Sequence, residues 1–250
     1  MCDILRNRVE KKAEDKEVDE KKYESIIHHI MSFVGGFLGG FAIFNFSHTF
    51  GSSETSNMIY LVQTLLGKDF IGFVIRMVAL FIYSLGLIFT IVIPKFSRVN
   101  LKIVSVIINF VGFIALSFMP TDIDYMIFLY PVFFMSAFQW NVFEECGGYR
   151  SATIFLTNNL RQTVLSYVNY FFEKDREFLN KAIFFTLTLA FFLAGVAYSY
   201  YIAEFFGEKG AIFGAIPNAA ALFFILKEQM LIDKEEQEEE EEEQEVELTK

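Results

Sequence analysis

The chain is 250 residues long, 54% apolar and 18% aromatic, with a formal net charge of −10. Its apolar share exceeds the roughly 45–50% of ordinary soluble domains, and its charge gathers in residues 1–24 and 227–250, leaving long uncharged runs between them. This composition excludes an ordinary soluble globule, and without a basic face or motif it also excludes a nucleic-acid binder.

Residues 1–25 form a charged tail with no apolar core of the kind a cleaved secretion signal needs. Residues 8–24 mix both charges and suit a solvated helix. The first apolar run, 26–47, is long enough to cross a bilayer, which takes about 20 apolar residues. It carries Gly35, Gly36, Gly39 and Gly40. Small residues at this spacing let helices approach closely, and glycine also loosens a helix enough to break it. The quartet therefore reads either as packing or as an unwound lining. His28 and His29 near the start of the run suit the interface, while Asn45 and His48 near its end are weaker site candidates.

Thr55, Ser56 and Asn57 then open a short apolar segment, 58–66. Nine helical residues rise only about 13–14 Å, too little to span a membrane. The second span, 70–93, stops before Pro94, and the third, 102–119, stops at Pro120. Arg76 is the only basic residue well inside a span. It needs an interior partner such as a substrate anion, Glu54 or half-helix carbonyls, or else it snorkels to the surface. Asn109 lies in the third span.

The fourth span, 124–143, contains Pro131, an expected kink, and ends in Gln139, Trp140 and Asn141. One helix face cannot hold all three, so at least one side chain must find an interior partner. Glu144 and Glu145 follow at the boundary, as coupling candidates or as plain interfacial carboxylates. Thr157, Asn158 and Asn159 open a second short polar-capped helix before the fifth span, 181–204. The sixth, 210–227, contains Pro217, another expected kink. Residues 233–247 are almost pure Glu and Gln, and their self-repulsion predicts a disordered tail. The chain divides into a charged tail (1–25), two three-span units (26–119 and 120–227) and an acidic tail (228–250).

Lysine and arginine crowd alternate connections. Seven precede the first span, three follow the second, and five lie between the fourth and fifth, against Lys68 and Lys209 in the other connections. This asymmetry places both termini in the cytoplasm. Each unit has an odd number of spans, so the two run in opposite directions and form an inverted-topology repeat. The Thr-x-Asn sequences at 55–57 and 157–159 then occupy equivalent places on opposite sides. Threonine caps helices, and a half-helix start inside protein offers unpaired N–H groups and a positive dipole end to an anionic or carbonyl-bearing ligand. Plain capping of two interfacial helices is the competing reading. Cys2 and Cys146 lack metal-ligand spacing, and no phosphate loop, nucleophile elbow or dinucleotide fingerprint occurs. Neither a metal, a cofactor nor an enzyme activity is expected.

The stretch SFVGGFLGGFAIF followed by SSETSN, and later AFQWNVF and FLTNN, resembles the YoaK-like family of bacterial six-span membrane proteins of unknown function, over roughly residues 28–226. The resemblance implies a bacterial cytoplasmic membrane. The family's Thr-Gly-Asn is Thr-Ser-Asn and Thr-Asn-Asn here, Gly39 stands where an acidic residue is usual, and Trp140 interrupts the Gln-Asn pair. The combined expectation is an all-α, six-span integral membrane protein built as a 3+3 inverted repeat with two half-helices. It would carry a small polar or anionic solute at Thr55, Ser56, Asn57, Arg76, Gln139, Asn141, Thr157, Asn158 and Asn159. Six spans make a thin wall, which suits a homodimer in the lipid bilayer. A passive channel and a non-transporting subunit with an acidic interaction tail remain as alternatives.

Overall fold

The computed structural model describes the backbone of residues 2–46 and 54–248. His48 lies outside the described residues. The chain is about 85% helical. Helix α1 runs Cys2–Asn45, α2 Glu54–Leu66, α3 Phe70–Phe96, α4 Leu101–Phe118, α5 Tyr125–Phe128 and α6 Tyr130–Val142. A hairpin follows, of β1 (Glu145–Cys146) and β2 (Tyr149–Arg150). Then come α7 (Thr157–Glu173), α8 (Arg176–Phe206), a 3-10 helix (Gly207–Gly214) and α9 (Ala215–Leu248).

Local chemistry sets these boundaries. Side chains of Asp69, Asn100, Asp124 and Asp175 accept hydrogen bonds from backbone N–H groups in the first turns of α3, α4, α5 and α8, satisfying donors that a helix start leaves orphaned. Lys174 closes α7 in the left-handed conformation. Pro131 and Pro217 do not kink helix interiors. Pro131 is the second residue of α6, after a break at Leu129, and Pro217 is the third residue of α9, after the 3-10 helix. In a first turn the missing proline N–H has no partner to lose.

Four stretches are long and apolar enough to cross a membrane: Lys21–Asn45, Phe70–Phe96, Leu101–Phe118 and Arg176–Lys234. The last is two helices, α8 and α9, joined by the 3-10 segment. Large apolar side chains such as Phe81, Ile91, Val111, Phe118 and Leu193 are exposed along these helices. A soluble protein rarely displays so continuous an apolar surface, so the chain is a membrane-helical protein. The α9 backbone is helical to Leu248. Glu and Gln are good helix formers, and the apolar turns upstream supply the costly nucleus.

Helix α1 is the hub, with 78% of its apolar window buried. It packs on α8, on α9 and, at one level, on α6. Gly36 faces Phe192, Gly40 faces Ser199, and Phe44 meets Tyr200, so α1 and α8 run parallel. Phe37 lies at the level of Gly214 and Tyr23 at that of Phe224, so α1 and α9 run antiparallel. On the other flank, Gly86 meets Ala137 and Thr90 meets Asn141, making α3 and α6 parallel. Helix α4 opposes both α6 and α9, with Gly112 on Met135, Asn109 beside Asn218 and Lys102 beside Glu228. The short helices are peripheral, α2 packing on α3 and α7 on α8.

The glycines of α1 act by close approach. A Cβ on Gly35 would run into the Thr153 carbonyl, and one on Gly36 into that of Phe192, while across the interface one on Gly195 would meet that of Phe33. Among the two readings left open for Gly35, Gly36 and Gly40, the geometry is that of packing along an unbroken helix. Gly39 is likewise buried in that helix.

Candidate functional site

The centre of the bundle is polar. Asn109 of α4, Gln139 of α6 and Asn218 of α9 are each fully buried. Asn109 Nδ2 donates to Gln139 Oε1 at 3.0 Å and to Asn218 Oδ1 at 3.3 Å. Asn218 Nδ2 donates to the Val106 carbonyl at 2.8 Å. Gln139 Nε2 donates to the Met31 carbonyl of α1 at 2.9 Å and to Thr153 Oγ1 at 3.2 Å. One cluster thus ties α1, α4, α6, α9 and the segment after β2. It is incompletely satisfied, because Asn109 Oδ1 and the hydroxyls of Ser105 and Ser136 are buried without partners. Ser105 lies one turn from Asn109 on α4, and Ser136 one turn from Gln139 on α6.

Residues 151–156 between β2 and α7 are irregular yet enter the core, with Ser151, Thr153 and Ile154 all buried. Extended backbone in the interior needs partners for its polar groups, and two amides help supply them. Asn159 Nδ2 donates to the Ala152 carbonyl at 2.7 Å, while Ser151 Oγ donates to Asn159 Oδ1 at 3.3 Å. With the Ser151 hydroxyl hydrogen so used, His28 Nε2 is the donor in its 2.9 Å bond to Ser151 Oγ. The close Gly35–Thr153 approach seats the segment on α1. Gln139 and Asn159, expected at the site from sequence, are therefore brought together through residues 151–153.

The other expected residues separate. Thr157 and Asn158 are exposed at the start of α7, and Thr55 is exposed and Ser56 half-buried at the start of α2. Asn57 is buried, with its Nδ2 unpartnered. Each half-helix is held by its own neighbour, α2 by α3 and α7 by α8. Arg76 does not pair with Glu54. Its guanidinium donates to the Tyr125 hydroxyl at 3.1 Å, contacts Met126 Sδ at 3.6 Å and lies over the Tyr60 ring at 5.1 Å, which pins α2 and α5 to α3. Asn141 turns away from Gln139 and donates to Thr90 Oγ1 of α3 at 2.6 Å, while the Trp140 ring stands edge-on to Phe155. Glu144 and Glu145 are exposed, and Glu145 pairs in register with Arg150 in the hairpin. Neither carboxylate lines the buried cluster.

A cavity of about 340 Å³ opens beside the hairpin and α7, lined among others by Arg150, Lys181, Asn158, Gln162 and Tyr149. Two cations and two amides with no carboxylate in the lining suit an anion. The hairpin sits at the end of the bundle where the Gly147 N–H donates to Glu24 at 3.0 Å. Lys102 and Glu228 pair at 2.8 Å, and both bear electrostatically on the buried Cys146 thiol. Burial pushes that thiol up to about 12, so it stays protonated and unreactive. Among the described residues, no cluster of three or more His, Cys, Asp or Glu has metal-holding geometry.

Sequence reading missed Asn218, Ser136 and Thr153. A polar residue within an apolar run is the only signal they give, and several such residues here merely bond their own helix, as Ser84 and Ser117 do.

A family model described as "Protein of unknown function (DUF1275)" matches residues 27–225, from the start of the apolar part of α1 into α9. No curated protein and no solved structure matches the chain.

Proposed function

Because the chain belongs to the DUF1275 family of proteins of unknown function, we propose, from its own geometry, that it is a membrane transport protein: a secondary transporter or facilitator of a small polar or anionic solute, with no enzymatic activity. The observation that carries this reading is the amide cluster of Asn109, Gln139 and Asn218, buried at the heart of an apolar bundle with acceptors to spare. Polar groups inside a membrane protein are costly and concentrate where solutes pass. The cavity between Arg150 and Lys181 supports an anionic solute by serving as its vestibule.

The proposed architecture is six spans in a 3+3 inverted repeat, with α5 and α6 together as the fourth span. The packing pattern supports it. Exchanging α1, α2, α3 and α4 for α6, α7, α8 and α9 turns the α1–α8 pair into α6–α3, the α1–α9 pair into α6–α4, and the α2–α3 pair into α7–α8. The α4–α9 pair maps onto itself, and the Asn109–Asn218 contact lies on it. The lysine and arginine asymmetry and the resemblance to YoaK-like proteins favour a bacterial cytoplasmic membrane with both termini inside. A homodimer fits so thin a bundle.

The test is uptake by proteoliposomes of a labelled panel of small carboxylates, inorganic anions and neutral polar solutes. Saturable uptake of at least one is expected, and for an anionic solute the Arg150→Ala/Lys181→Ala variant should raise KM about tenfold, the loss of about 1.4 kcal/mol. No flux above protein-free liposomes would overturn the reading, and flux without saturation would replace it with a passive channel.

A further inference from the structure

We propose that Glu54 is the proton-binding group of this protein, taking up one proton at the start of α2 as the solute moves. The coupling half of this statement rests on the transport reading; proton binding itself does not.

Two of the buried polar atoms without a hydrogen-bond partner are neighbours on α2: Glu54 Oε1 and Asn57 Nδ2. They sit one helical turn apart, on the face that packs against α3. Asn57 is 6% exposed, although most of α2 is covered with exposed apolar side chains, Met58, Ile59, Val62 and Leu66 among them. A helix that turns so much apolar surface outward and tucks a carboxyl and an amide inward presents its polar atoms to the interior rather than to water. Tyr83 of α3 is buried and within electrostatic reach of Glu54.

Among the described residues, no cation pairs with the carboxylate. Helix α2 packs on α3, whose basic group near that end, Arg76, is engaged by Tyr60, Tyr125 and Met126. The acid Asp69 is turned to its own helix, accepting from the Gly72 N–H. Among the described residues, the groups that bear on Glu54 are thus the Asn57 amide and, electrostatically, Tyr83. Neutral donors with no ion-pair partner are the setting in which a carboxyl holds its proton near neutrality. Burial does push Glu54 up from an ordinary 4.5 to about 7, with Asn57 opposing in part. Proton uptake converts the carboxylate to a carboxylic acid, adds the hydrogen at one oxygen and removes one negative charge from the interior. The acid form carries an O–H that can donate, whereas the ionised form only accepts and draws the Asn57 amide. This assignment also replaces Glu144 and Glu145, which lie exposed at the hairpin.

The sign for stability follows from the raised value. Between about pH 4.5 and 7 the folded protein keeps a proton that the unfolded chain releases, so stability falls as pH rises through that window. Glu54→Gln is isosteric and should flatten this dependence.

Infrared difference spectra of the reconstituted protein between about pH 5 and about pH 9 read the site directly. A protonated-carboxyl C=O band that titrates near neutrality is expected in the wild type and in Glu144→Gln, and is expected to vanish in Glu54→Gln. A band unchanged by Glu54→Gln would overturn the assignment, as would a Glu54 that stays ionised throughout and shifts only on adding sodium. Solute uptake as a function of pH separates the two levels. If the Glu54 band titrates and no solute in the panel moves, proton binding stands and the transport reading fails. If uptake occurs and its pH profile is the same in Glu54→Gln, the coupling fails while transport stands.

Discussion

Replacing Gln139 by Leu is expected to abolish saturable uptake and to lower stability by about 2 kcal/mol. The side chain spans the cluster. It supplies the donor for the Met31 carbonyl and for Thr153, and the acceptor for the first of the Asn109 donor bonds. Interhelical hydrogen bonds in membrane bundles average only about 0.6 kcal/mol, so three lost bonds give the lower part of the estimate. The remainder comes from orphaning groups that no water or lipid can satisfy. Gln139→Glu keeps the acceptor and the shape, loses the donor and introduces a charge. It should therefore retain more protein than flux. Thermal unfolding in detergent together with uptake checks both. Wild-type flux in Gln139→Leu would remove the cluster from the pathway.

Gly36→Leu is expected to cost about 3 kcal/mol or more and to reduce monodisperse protein severely. Overpacking a core commonly costs about 1–3 kcal/mol when side chains can yield. Here the obstacle is the Phe192 carbonyl, part of the α8 backbone, and a whole helix must move. The consequence is not local. Helix α1 carries hydrogen bonds to the polar cluster and to the buried segment, through Met31 to Gln139 and through His28 to Ser151. Separating α1 from α8 therefore loosens the polar centre as well as the interface. Gly195→Leu attacks the same contact from the other helix, against the Phe33 carbonyl, and the pair should be less than additive because they disrupt one interface. Unfolding transitions at wild-type temperature in both variants would show that the helices are not held this closely.

The placement of polar residues in this chain follows pairing more than position. Asn57 and Asn159 hold equivalent places in the two Thr-x-Asn sequences, and both are buried. Asn159 meets the Ala152 carbonyl and Ser151, whereas Asn57 has the Glu54 carboxyl beside it. The same sequence phrase thus serves once to hold an irregular segment and once to line a candidate proton site. Arg76 makes the complementary point. A lone charge in a span suggests a ligand, but two tyrosines and a methionine sulfur occupy it.

The sequence by itself determined the membrane-helical class and the second and third spans, to within a few residues of α3 and α4. It also placed the two short helices that follow the first and fourth spans. These rest on composition, on runs of apolar residues and on local hydrogen bonding, all of which are written along the chain. It marked Gln139 and, more faintly, Asn109, because an amide in an apolar run has few innocent explanations. It did not reveal Asn218 as their third partner, the burial of Glu54, or the separation of Asn141 from Gln139. Only the tertiary structure decided these. An amide's partner is chosen by which helix faces it, and that depends on how closely helices approach. In this protein that spacing is set by glycines such as Gly36 and Gly195. Residues 109 and 218 share no local pattern. They meet because α4 and α9 pack antiparallel at the centre, and the sign of that contact is a property of the bundle rather than of either segment.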